Sequence, residues 1–471
     1  MMDLWTSFDR AERTIRIPDR QSVAVPKCFE AIVDHSDFQR LRNVRMLGPI
    51  HLVYPGAMHT RFEHSLGVFS SAAAYLRRLS FVPEFRERVD EPDALVLLAA
   101  ALLHDIGHYP FAHSLEALHS GAFKAPRHED LAAQMILGRL SSSTHGPSLG
   151  DVIEDCLGVP RERVAGIVEH GSSGVLGPVD RLLGSIISSA IDCDKLDYLG
   201  RDSYHMGIPY GRMPDRERLL AGLCVNLSGD RIALTEKGRV SGEIFLFARH
   251  LMFSEAYWHH TVRSACAMVE AAMADFLASA RPSPDGFAAL LLGMNDEELL
   301  ETVRRGGRPG SEAEQLLQGI TDHSRGLYKR VLTMSREREE TEYHRAYDVI
   351  YQMNRPELAA LRKDVLEVLR PIVKRTIEPH EVLIDTPPRD KDKLDSIEVI
   401  FNGPDGASAV PLESVSRVVR GVAVDFIKVV KKIRVFVSPS VRLSLSGQER
   451  VVEQALLELI LSKAGASGEP E

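Results

Sequence analysis

The sequence predicts a mainly α-helical protein, a helical core followed by a smaller α+β lobe, and three observations carry that expectation. Helical patterns follow one another from about residue 60 to about residue 333. The charge-dense run 335–345, where Arg and Glu alternate without an apolar face, marks a domain boundary. Beyond it, residues 396–400 and 433–437 alternate like half-buried strands. The core is therefore assigned to residues 1–333 and the lobe to 334–471.

Taken in order, the first 60 residues mix a short strand or turn piece at 14–18 with a helix ending near Arg42, and Pro55-Gly56 marks a turn. Thr60 and Glu63 fit a capping box, which starts a helix running to about Leu79. Arg61 and His64 then share a face in its first turn, where free N–H groups and the helix dipole favour an anion. A helix from Asp93 is apolar through Leu103, and Gly107 and Pro110 stop it. Further helices begin near Pro126 and Val164, separated by loops at 141–150 and 171–177. In the segment 191–202 read as a helix, Asp194, Tyr198 and Asp202 form one polar stripe at i, i+4 and i+8, flanked by Lys195. One long helix is expected from about Gly242 to Ala280. It places Arg249 and Tyr257 where they could cover the same pocket, with His259 and His260 close by as structural side chains. The pattern stays helical to about Thr333. In the lobe, 356–369 reads as a helix stopped by Pro371, the last helix ends near Leu461, and the tail from 465 is expected to be disordered.

Composition narrows the function. With 471 residues, 44% hydrophobic and 26% charged, the chain has enough material for a large core and a second domain. A net charge of −9 makes double-stranded nucleic acid a poor partner and leaves a small anion in a local pocket open. The first ten residues lack the apolar centre of a signal peptide, and no apolar run is long enough to span a bilayer. Cys28, Cys156, Cys193, Cys224 and Cys266 never form a CxxC pair, which points to a reducing compartment and away from a thiolate metal site. A cytoplasmic protein is expected.

The chemistry concentrates at residues 102–113, where His104, Asp105, His108 and His113 directly follow a buried apolar helix. Imidazole and carboxylate ligands without thiolate suit Fe, Mn, Zn, Ni or Mg. His64, His104, Asp105 and Asp194 can supply a His/His/Asp/Asp set from three helices, with positions left for water and a substrate oxygen. A metal so held would activate water and polarise a phosphoryl oxygen, leaving a general acid to protonate the departing oxygen. His108, His113 and His128 are the candidates for that acid.

Four ordered motifs, Arg61-Phe62-Glu63-His64, His104-Asp105-Ile106-Gly107-His108, His128-Glu129 and Asp194-Lys195-Leu196-Asp197-Tyr198 with Arg201-Asp202, resemble those of the HD-domain phosphohydrolases. More narrowly, the chain resembles the deoxynucleoside triphosphate triphosphohydrolases that include the SAM-and-HD-domain enzyme. By that resemblance His64, His104, Asp105 and Asp194 are the metal ligands, and Arg61, Lys195, Tyr198 and Arg249 hold the triphosphate. His128 matches the acid at the leaving 5′-oxygen, with His108 and Glu116 supporting it, and His113 matches a further phosphate contact. Tyr257 matches the residue packed on the sugar, Asp202 the group that binds the 3′-hydroxyl, and Leu47 a neighbouring match.

Two departures stand out. Met46 occupies the position where the family has a Gln that reads the 3′-hydroxyl, which weakens the expectation of strict deoxyribose selectivity. The family's Asp-Pro-x-His-Gly stretch is absent, with residues 17–21 in its place. Yet Asp34, Gln39 and Arg42 match positions that read an activating guanine, and Arg434 matches a phosphate contact. The resemblance implies water attack at the α-phosphorus of a dNTP, releasing deoxynucleoside and inorganic triphosphate, in a homo-oligomer (dimer or tetramer) with an activating nucleotide as a further partner. The alternatives are hydrolysis of another nucleotide (a ribonucleotide, a monophosphate or a cyclic nucleotide) and a sensor that binds without turnover.

Overall fold

The computed structural model describes residues 2–465 apart from 19–20, 117, 121–122, 143–145, 172, 281–282, 307, 323–324, 338–340, 388–395 and 405. The expectation for the tail falls on 466–471 and part of the boundary run on 338–340, both outside the described residues.

The fold is mainly helical and is built around the helix Glu91–Leu103. Asp90 caps it, accepting from Asp93 N–H while the Asp93 carboxylate accepts from Asp90 N–H, which satisfies two donors that a helix start leaves open. Every residue from Val96 to Leu103 is buried, as an all-apolar helix requires. The helices Arg61–Leu79 and Arg161–His170 pack against it, and Cys193–Met206 packs on Arg61–Leu79. The first turn of Arg61–Leu79, the end of Glu91–Leu103 and the first turn of Cys193–Met206 thus converge.

Small sheets border this core. Arg13–Ile17 pairs antiparallel with Gln21–Val25. A mixed sheet orders Gly406–Pro411, Glu398–Gly403, Ile232–Thr235 and Leu223–Val225, joining late strands to early ones. Ile433–Val437 is the centre of a three-stranded antiparallel sheet between Lys329–Met334 and Val382–Asp385. Around this sheet, side chains from Leu332 to Ile460 form a second apolar cluster.

Several elements differ from expectation for identifiable reasons. The expected long helix is two, Arg239–Leu251 and His260–Ala280, separated by the π-helical turn Met252–Tyr257. Apolar periodicity runs through the turn, so the sequence alone reads it as continuous. Residues 329–334, expected as helix, form a strand, because pairing with a segment 100 residues away outweighs local pattern. Thr60 stands at the N-cap but its side chain does not cap; Glu63 is drawn instead to Arg201 and His205. Pro371 does not stop its helix, which runs from Arg355 to Val373. In the last turn the ring removes a single backbone bond, and Lys374, at φ 57°, closes the helix. Residues 433–437 are buried throughout rather than half-buried.

Candidate metal centre and active site

His64 lies in the first turn of Arg61–Leu79, His104 caps the C-terminus of Glu91–Leu103, Asp105 follows it, and Asp194 lies in the first turn of Cys193–Met206. Their donor atoms meet. His104 Nε2 is 3.2 Å from His64 Nε2 and 3.4 Å from Asp105 Oδ1, and His64 Nε2 is 3.8 Å from Asp105 Oδ2. Asp194 Oδ1 stands 3.0 Å from His64 Nε2 and 3.7 Å from His104 Nε2. Bonds of about 2.1 Å around one ion put neighbouring ligand atoms about 3.0–3.4 Å apart. His64, His104 and Asp105 therefore form a cluster that can hold a metal ion.

The supporting contacts fix the ligands' orientation. His104 Nδ1 bonds Ala101 O at 3.0 Å, leaving Nε2 for the cluster. His64 Nδ1 is 2.9 Å from Asp197 Oδ2, and Arg201 grips the Asp197 carboxylate with two bonds of 2.7 and 2.8 Å. This carboxylate–histidine pair is the usual second layer of a metal site. Gly67 makes it possible: a Cβ there would lie 2.0 Å from Asp197 Oδ1. Burial works against ionised Asp105, yet Arg61 beside it, at 2.6 Å, holds its pKa well below the usual carboxylate range.

A second group stands beside the first. His108 Nε2 bonds Asp105 Oδ1 at 3.1 Å, and burial, with Arg61 and His128 nearby, pushes its pKa well below the ordinary value. Its face stacks on His128, ring centroids 3.7 Å apart. His128 Nδ1 and its backbone N–H both bond Glu116 Oε1, at 2.7 and 2.8 Å. Burial opposes the Glu116 charge, but His113 and His128 hold its pKa well below the usual range. The loop that returns Glu116 to this position passes through Phe111 at φ 56°, a strained conformation for a bulky residue. Gly107 lets the helix His128–Ile136 approach: a Cβ there would meet His128 O at 2.2 Å.

On the helix Cys193–Met206, Lys195 bonds Asp192 at 2.7 Å; burial works against its charge, and Asp192 raises its pKa above the ordinary value. Burial pushes the Tyr198 phenol up to about 12, with Arg249 and Lys195 acting against that rise from close by. Tyr257, 6.5 Å from Tyr198 ring to ring, donates to Asp202 at 2.5 Å. The π-helical turn ends at Tyr257 and so sets where that hydroxyl stands. Leu47 is half-buried ahead of the 3-10 turn Gly48–Leu52, and Met46 donates its N–H to His59 O.

The four positions matched to an activating nucleotide are engaged within the chain. Asp34 accepts two bonds from Arg13, Gln39 pairs with Arg42 and Val33 O, and Arg42 lies over the Phe62 ring. Arg434 is buried, donating to Trp258 O. His260 lines a crevice of about 550 Å³ with Lys329, Arg330 and Arg442, which shares no residue with the metal cluster.

Three contributors escaped the sequence reading. Asp197 carried a signal, since it follows Asp194 by three residues on one helix. Arg40 donates to His108 O and Ile106 O, pinning the cluster's loop. His59 bonds Asp202 at 2.8 Å and stacks on His205. Neither of these two stands in a motif.

Comparison with known proteins agrees with this arrangement. The HD domain family matches residues 61–193, and the HD associated region matches 215–442. The uncharacterized protein YwfO of Bacillus subtilis is 34% identical over 256 residues, 54% of this chain and 53% of its own. The uncharacterized protein MJ1154 of Methanocaldococcus jannaschii is 33% identical over 51% of this chain and 45% of its own. The deoxynucleoside triphosphate triphosphohydrolase SAMHD1 of Gallus gallus is 29% identical over 48% of this chain and 39% of its own. The chain thus spans about half the length, or less, of these curated relatives. Among solved structures, a hypothetical protein from Aquifex aeolicus (TM-score 0.64, 23% identity) covers 93% of this chain and 99% of its own. A phosphohydrolase from Bacteroides thetaiotaomicron (TM-score 0.63, 22% identity) covers 90% and 99%, and both share the fold. No helix among the described residues is long and apolar enough to cross a membrane. With the HD motif's histidines and Asp105 gathered at one point inside the matched segment, residues 61–193 match an HD domain, and about half of the chain is similar in sequence to a deoxynucleoside triphosphate triphosphohydrolase.

Proposed function

We propose that this protein hydrolyses deoxynucleoside triphosphates to deoxynucleoside and inorganic triphosphate, using a divalent metal held by His64, His104, Asp105 and Asp194. One observation carries the reading: the ligand cluster and the His128–Glu116 pair are joined through Asp105 and His108. A ligand set alone suits a sensor, whereas a histidine backed by a carboxylate is what a leaving oxygen needs.

The donor set of two imidazoles and two carboxylates fits Fe, Mn, Zn, Ni or Mg, and availability decides among them. Such an ion supplies Lewis acidity at the α-phosphate. The chain's own groups do the rest. Arg61, Lys195, Tyr198, Arg249 and His113 bind the triphosphate. Water adds to the α-phosphorus and gives up one proton to solvent as the bond to the 5′-oxygen breaks, and His128 gives the departing oxygen its Nε2 proton, regained from solvent, while Glu116 keeps hold of Nδ1. Asp202 and Tyr257 face the sugar. Met46 has no donor for the 3′-hydroxyl, which supports a second reading in which ribonucleotides are also turned over.

The scattered cysteines support a cytoplasmic protein, and the resemblance supports a homo-oligomer with an activating nucleotide at Asp34, Gln39, Arg42 and Arg434. For Asp34 to read a base, Arg13 must release it.

Metal-loaded protein is incubated with each dNTP and NTP, alone and in mixtures, and products are resolved by chromatography. Deoxynucleoside plus triphosphate is expected; activity only in mixtures would support the activating site, and release of monophosphate or pyrophosphate would overturn the reading that the 5′-oxygen is the leaving group. His128→Ala should lose about 10²–10⁴-fold in turnover and keep its metal. Tight nucleotide binding with no hydrolysis in the parent would leave the sensor.

A further inference from the structure

We infer that His113, Glu116 and His128 form a second, separate site for a first-row transition metal ion such as zinc, and that filling it disables His128 as the general acid. Each of the three offers a ligand atom, and these atoms all lie within 4.8 Å of one another. Glu116 Oε1 is 2.7 Å from His128 Nδ1, and Oε2 is 3.7 Å from His113 Nδ1. Two imidazoles and one carboxylate are the ligands of open zinc sites, and later first-row ions take them well. Magnesium and calcium, which favour oxygen, do not. The His113 side chain is 62% exposed, which gives an entry path and freedom to close on an ion.

This is not the second half of a bridged pair. The two clusters share no ligand, and the His108 ring stands between them, bonded to Asp105 and stacked on His128. Each site therefore fills independently. An ion bound through His128 Nδ1 replaces the proton now shared with Glu116 and releases it to solvent. The ring can then no longer carry protons on both nitrogens, so Nε2 loses the acidity an imidazolium supplies. That consequence rests on the acid role proposed for His128; the site itself rests on geometry.

The test strips the protein with a chelator and dialyses it to equilibrium against zinc, with bound metal counted by elemental analysis. The parent should hold two zinc ions per chain and His113→Ala one, with unchanged circular dichroism because His113 is exposed. His104→Ala should keep the outer ion, and cobalt in place of zinc should lose part of its visible absorption in His113→Ala. One ion in the parent, or two in His113→Ala, would overturn the site. In manganese-activated enzyme, filling the outer site should lower turnover about a hundredfold; unchanged turnover with zinc bound there would overturn the block. A protein that hydrolyses nothing defeats the hydrolase reading, and dialysis still reads the site.

Discussion

His64 shows how one residue's environment sets its task. It presents Nε2 to the cluster because Asp197 occupies Nδ1, and Asp197 stays ionised and oriented because Arg201 holds both its oxygens. Asp197→Asn keeps the shape but removes the charge and one of the two acceptors for Arg201. Metal affinity should fall about 10–100-fold, read by competition with a chromogenic chelator; an unchanged affinity would mean that Asp197 only packs. At this scale the sequence was most legible where titratable groups crowd, at His104, Asp105 and His108. It was least legible where a role depends on how two helices rotate against each other. Asp197 lay in a run already singled out, yet only the approach of two helices at Gly67 turns it toward His64. His59 and Arg40 act through bonds across 143 and 66–68 residues, which no local pattern encodes.

Helices carry the site, so spacing between helices tunes it. The backbone of His128–Ile136 rests on Gly107, where a Cβ would stand 2.2 Å from His128 O and 2.3 Å from Ala132 N. Backbone cannot swing aside as a side-chain tip can, so Gly107→Ala must push the whole helix away. It should cost about 1–3 kcal/mol in urea unfolding and lower turnover by about tenfold or more, while chelator competition finds the metal affinity kept. Gly200→Ala is the control: nothing lies within 4 Å of a Cβ there, and it should be neutral or stabilising by up to about 1 kcal/mol. Equal turnover in the two variants would contradict the argument. Helices with strong apolar periodicity were legible to within a few residues at their starts, as for Arg61–Leu79 and Cys193–Met206. The π-helical turn was not, because one extra residue in a turn leaves the apolar pattern nearly unchanged while moving Tyr257 onto Asp202.

Across the whole molecule, distant segments are tied by buried polar groups whose cost depends on pH. Glu398–Gly403 completes a sheet begun by Ile232–Thr235, and Ile433–Val437 by Lys329–Met334, pairings that local pattern could not foretell. Asp296 makes such a tie, accepting from Arg45 N–H at 2.9 Å across 251 residues. Burial pushes its carboxyl up to about 6, above the unfolded value of about 3.9. The folded chain therefore binds the extra proton between those values, so this group's stabilisation is complete below about pH 4 and is lost as pH rises through about 6. The loss is at most about 3 kcal/mol. Other carboxylates, Asp105 and Glu116 among them, pull the opposite way, so the difference between parent and Asp296→Asn isolates the effect. The asparagine can still accept from Arg45 and has nothing to titrate. Urea unfolding from pH 4 to pH 7 should show the variant gaining on the parent across that window, and parallel curves would show that Asp296 titrates as it does in the unfolded chain.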